Sequence, residues 1–187
     1  MPLKKVHKNE WLKHGLSQFS SLGLAGINVE KMSKALKCNK SSFYWHFKTR
    51  QNFFEELIQF WQDQQESLIQ KLHMEHSPSE RFKNYLRFLF RKNQYGDLLF
   101  FIQREALHDK FLKKVLRNYN QQNNELAFIL ILDLGYDEEQ GKQKTDLLLH
   151  FHRGWYEQHK YQRVSKPKVE DAMKLVNDFI EFEGEKD

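Results

Sequence analysis

The chain has 187 residues, 30 Lys or Arg against 25 Asp or Glu, only eight glycines and three prolines, and a single cysteine. That length supports one or two domains with a hydrophobic core. No apolar run approaches the roughly 20 residues of a membrane span, and Cys38 alone makes neither an internal disulfide nor a metal cage.

Few breakers and many Leu, Lys, Glu and Gln favour long helices, and no alternating β-branched run or Asn-Gly hairpin signal appears. The expected class is all-α, with about nine helices. No apolar signal-peptide core follows the basic N-terminus, so the expected location is cytoplasmic. The charge is uneven. Residues 1–50 hold ten Lys or Arg and two acids, whereas the other 137 residues hold 20 basic and 23 acidic groups. A basic first part on a mildly acidic body suggests a polyanionic partner for that part; a solvated basic face is the plain alternative.

In chain order, residues 3–22 are expected to form a first helix, with Leu12, Leu16 and Phe19 in one stripe and Gly23 and Gly26 ending it. Asn28 is a good cap for a second helix to about Leu36, and Asn39 for a third from Lys40 to His46. Helix, short turn, helix is a helix-turn-helix layout. Lys37 stands where a glycine is expected, so either it takes a left-handed backbone or the turn differs. A fourth helix runs from Arg50 to about His73, with no linker before it. Ser77-Pro78-Ser79-Glu80 is a capping box opening a helix to about Asn93. Asp97 caps Leu98–Leu107, another helix runs from about Asp109 to Leu134, and Asp137 caps one reaching Gln162. Pro167 opens the last. The expected domains are 1–49, a helix-turn-helix unit, and 50–187, a helical dimerisation and effector-binding unit.

Residues 39–50, NKSSFYWHFKTR, carry the chemistry. On a helical wheel Phe43 and Phe47 share one side and should anchor inward against Leu16, Phe19, Val29 and Met32. Ser41, Ser42 and Trp45 point the other way, with Lys40, Tyr44 and His46 on the flanks. Small polar side chains let a helix approach base edges in the major groove, while flanking cations and hydroxyls reach phosphates. The plain alternative is a short helix with Trp45 in a core.

Residues 11–57 resemble the DNA-binding domain of tetracycline-repressor-like (TetR) transcriptional regulators. Phe19 and Gly23 match the end of the first helix, Asn28 stands for the capping Thr or Ser, and Met32 for the usual Ile. Phe43-Tyr44-Trp45-His46-Phe47, then Thr49, Arg50 and Phe53, match the recognition-helix end. Ser33, Leu36, Lys37 and Cys38 depart from the pattern, all in or beside the turn. The resemblance implies phosphate contacts at Asn28, Tyr44, His46 and Arg50, and base-facing roles for Lys40, Ser41, Ser42 and Trp45. It also implies a homodimer on a near-palindromic operator, a helical body that binds a small molecule, and repression as the usual outcome.

In that body, the last two helices are apolar on broad or double faces, and a helix with two apolar faces must bury both. Leu148, Phe151, Trp155, Met173, Val176 and Ile180 are therefore the expected dimer face; a larger monomer core is the alternative. Phe100, Phe101, Phe128, Phe151 and Trp155 are the candidate pocket for an apolar or aromatic effector, against ordinary core filling. His150, His152 and His159 are spaced wrongly for a metal site, and no cofactor is expected. Nothing forms a Ser-His-Asp or paired-carboxylate set, which disfavours an enzyme. The rival function is a helical interaction module whose basic end binds an acidic partner.

Overall fold

A computed structural model describes residues 5–73, 77–90, 98–159 and 166–180. Among the described residues there is no strand. The α-helices are α1 (Lys8–Leu22), α2 (Val29–Ala35), α3 (Lys40–Phe47), α4 (Arg50–His73), α5 (Pro78–Phe90), α6 (Leu98–Glu105), α7 (Lys110–Leu132), α8 (Glu138–His159) and α9 (Lys166–Ile180), with a short 3-10 turn at Gly23–Gly26. No helix among the described residues is long and apolar enough to cross a membrane.

Side-chain chemistry within a few residues sets most helix starts. Asn28 accepts from the Lys31 amide at 3.0 Å, Asp109 from Leu112 at 3.0 Å and Asp137 from Gln140 at 2.8 Å. Two starts differ from expectation. α1 begins at Lys8 rather than residue 3, because the Glu10 carboxylate reaches back to accept from the His7 amide at 2.9 Å. Asn39 makes no side-chain cap, and its carbonyl instead accepts from the Ser42 amide at 3.1 Å. The Asp97 cap, and the ends placed at Asn93 and Gln162, lie outside the described residues.

The turn between α2 and α3 takes the first of the two alternatives. Lys37 has φ 56°, the left-handed region. The Cys38 amide donates to the Ser33 carbonyl and the Lys37 amide to the Lys34 carbonyl, at 3.0 and 3.1 Å. This is the double bond pattern that usually ends a helix at glycine. The main chain thus closes the turn despite the lysine side chain.

The contacts divide the chain into two compact units. One contains Met1–Leu68 and Gln94–Glu105, the other Ile69–Asn93 and Ala106–Asp187. α6 therefore belongs with α1, α2, α3 and most of α4. In the first unit, α1 carries Trp11, Leu16 and Phe19, all fully buried. Gly15 permits the close approach of α4, because a Cβ there would lie 2.5 Å from Phe53 Cζ. Phe101 of α6 packs on Phe19, with ring centroids 6.1 Å apart.

The second unit's core gathers Phe82, Leu86 and Phe90 of α5, Leu130 and Ile131 of α7, Leu148 of α8, and Val176 and Ile180 of α9. Tyr85, fully buried, donates to Asn123 Oδ1 at 3.1 Å. His152 lies edge-on to Phe90, 5.4 Å between centroids. Burial pushes its pKa down to about 4; a hydrogen bond with the Leu89 backbone opposes this and Arg153 adds to it. The fold therefore holds the neutral ring, and the unfolded chain binds the extra proton between pH 6.5 and 4. Stability should be complete above pH 6.5 and fall by about 3 kcal/mol as pH drops through that window. Urea unfolding of the wild type and His152→Leu at pH 7, 5.5 and 4.5 checks this. The variant should lose less stability on acidification, and parallel losses would remove His152 from the account.

Candidate functional site

α3 is short and has almost no freedom to turn over. Phe43 and Phe47 are fully buried. Phe43 meets Trp11, Phe47 and Phe53 at 5.3, 5.2 and 5.0 Å between centroids. Trp11 and Phe53 were not among the anchors expected behind it; the signal for Trp11 was its place one turn before Gly15 on the apolar side of α1. With these rings pinned, the rest of the helix faces out. Trp45 is 70% exposed and Tyr44 46%, Lys40 and Ser41 are exposed, and Ser42 is half-buried.

The flanks are held by long-range bonds. The Nε2 atom of His46 lies 2.9 Å from the Val6 carbonyl, so the ring donates there and ties Val6 to α3. Arg50 donates to the Ile27 carbonyl at 2.8 Å, just before the α2 cap. Thr49 closes the α3–α4 corner, accepting from the Asn52 amide at 3.0 Å. An open cleft of about 520 Å³ lies between residues 5–9 and α3, lined by Lys5, His7, Lys8, Asn9, Trp45 and His46 together with Val6 and Ser42. The neighbourhood of residues 5–9 and α3 was not foreseen; the N-terminal lysines were its only trace. Asn28, at the exposed start of α2, uses its side chain as the cap.

Four of the six residues expected at a dimer face are buried within the second unit. Leu148, Val176 and Ile180 are fully buried and Trp155 is 9% exposed, all inside the second unit's own core. α5 supplies the partner for this stripe through Phe82, Leu86 and Phe90, so those side chains have no area left for a second copy. Phe151 and Met173 are half-buried against the same core. The apolar area still uncovered on α8 and α9 is at Leu147, 47% exposed, and Leu175, 53%.

The expected pocket residues do not fall in one unit. Phe100 and Phe101 are in the first, their rings 5.3 Å apart. Phe128, Phe151 and Trp155 are in the second. Phe151 and Trp155 both meet Phe90, at 5.7 and 5.2 Å, while Phe128 sits against Gly141. The three histidines also separate. His150 is exposed, His152 is packed on Phe90, and His159 stacks on Trp155 and donates to its carbonyl at 2.8 Å. Among the described residues no three His, Cys, Asp or Glu side chains form a metal-sized group.

No protein-family profile matches the chain, and no curated protein does. Solved structures do. A transcriptional regulator from Saccharomonospora viridis, solved in complex with choline, superposes with a TM-score of 0.75 at 11% identity, covering 94% of this chain and 96% of that one. A TetR-family regulator from Rhodococcus gives 0.67 at 14% identity, covering 93% and 96%. A regulator from Aquifex aeolicus described as of the TerR/AcrR family gives 0.69 at 16%, covering 93% and 97%. The chain has the all-α fold of TetR-like regulators over nearly its whole length.

Proposed function

We propose that the chain is a sequence-specific regulator of transcription that binds double-stranded DNA as a homodimer and represses at a near-palindromic operator until a small molecule binds. The observation that carries this is the division of α3: two phenylalanines fully buried, and a tryptophan 70% exposed beside Ser41 on the outer side. An exposed indole on a rigid, basic helix costs solvation unless a partner covers it. A major groove admits such a helix. Ser41, Ser42 and Trp45 would meet base edges; Tyr44 and the cations beside it would meet phosphates. Two copies related by a two-fold axis would place their α3 helices about 34–36 Å apart.

The dimer would form through the outer sides of α8 and α9, where Leu147 and Leu175 remain uncovered. The effector would enter the second unit near Phe151 and Trp155. Aromatic faces there suit an apolar molecule or an organic cation, in keeping with the choline found in the Saccharomonospora regulator. Within the first unit, Phe101 of α6 rests on Phe19 and against Gly23, beside the end of α1.

The test is selection of duplexes from a random pool, followed by binding at graded salt. Affinity should fall with a log–log slope of about −0.9 per phosphate neutralised. Tyr44→Phe should weaken all duplexes alike. Trp45→Ala should relax the preference at one position by about 1–3 kcal/mol without lowering the melting temperature. A chain that ignores duplexes in dilute buffer yet binds acidic peptides would be the rival interaction module.

A further inference from the structure

Two acids stand among the first fifty residues. Glu10 caps α1. Glu30 does something else. It lies in the first turn of α2, at the surface, with Oε1 3.2 Å from Lys34 Nζ and Oε2 3.1 Å from Lys40 Nζ. Lys40 is the first residue of α3. The Glu30 and Lys40 side chains are 53% and 55% exposed. Ion pairs this exposed contribute little to stability, so the pair is not a staple. Lys40, then Lys34, keeps the carboxyl below its usual range, and it stays charged. The result is an acceptor beside a donor, linking α2 to α3 on an otherwise basic face.

A lone carboxylate so placed would repel phosphates. It becomes useful only if it accepts from a base. In the major groove a G·C pair offers the matching set: the cytosine N4 amine donates, while guanine N7 and O6 accept side by side. At an A·T pair the second of those acceptors is replaced by a donor, so an ammonium loses one of its two bonds.

We propose that Glu30 and Lys40 read one G·C pair together, Glu30 accepting from cytosine N4 and Lys40 donating to guanine N7 and O6. Lys34 holds the carboxylate from the other side and fixes its direction. Glu30 is then a specificity residue, and it tightens discrimination by weakening every duplex that lacks the matching amine. This rests on the DNA-binding reading above and deepens it.

The experiment is selection from a random duplex pool with the wild type, Glu30→Ala and Trp45→Ala, each first shown to melt normally. The wild type should fix one G·C pair per half-site. Glu30→Ala should lose that preference by roughly ten- to a hundredfold, while its binding to random duplex tightens. Trp45→Ala should keep the G·C pair and relax a different position. If Glu30→Ala selects the wild-type sequence unchanged, or the wild type fixes no G·C pair, the inference is overturned and the DNA-binding reading stands. If the wild type selects no duplex at all, both fall.

Discussion

Replacing Phe43 with alanine is expected to lower the stability of the first unit by about 3–5 kcal/mol, the usual cost of removing a buried phenylalanine. Duplex binding should be lost with it. The ring is fully covered and stands at the centre of the α3 anchor, 5.3 Å from Trp11, 5.2 Å from Phe47 and 5.0 Å from Phe53. Edge-on and tilted ring pairs add to the area term. The cavity cannot close easily, because Trp11, Phe47 and Phe53 are each held by other elements of the same unit. Denaturant unfolding followed by near-ultraviolet dichroism reads the loss. Phe43→Leu keeps most of the volume and should cost well under half as much. An alanine variant within about 1 kcal/mol of wild type would mean that α3 is not held from behind by this ring.

Gly23→Ala should be nearly as damaging, for two separable reasons. Gly23 has φ 62° and ψ −150°, a conformation almost restricted to glycine, and forcing a side chain there costs on the order of 1–3 kcal/mol. A Cβ would also stand 2.6 Å from Phe101 Cδ1. Phe101 carries Arg104 above its ring, 5.1 Å from the centroid, which limits how far it can retreat. The double variant Gly23→Ala, Phe101→Ala removes the clash and leaves the backbone term, so a double-mutant cycle divides the two. Full additivity would show that α6 does not press on this corner.

The helices, most of their caps and the outward side of α3 were legible in the sequence because each depends on residues within about four positions. Asn28, Ser77 and Asp137 cap as their chemistry dictates, and a wheel of eight residues suffices to separate Phe43 and Phe47 from Trp45. Periodicity marked α8 and α9 as apolar on more than one side. It could not say which side the chain itself would cover. That depended on α5, some sixty residues before α8 and some ninety before α9, arriving to bury Leu148, Val176 and Ile180 and leaving Leu147 and Leu175 in solvent. The same holds for the pairings His46 with Val6, Arg50 with Ile27, Glu30 with Lys40, and α6 with α1. Local propensity acts along one helix turn, whereas these contacts exist only once the path of the whole backbone has brought distant residues to one place.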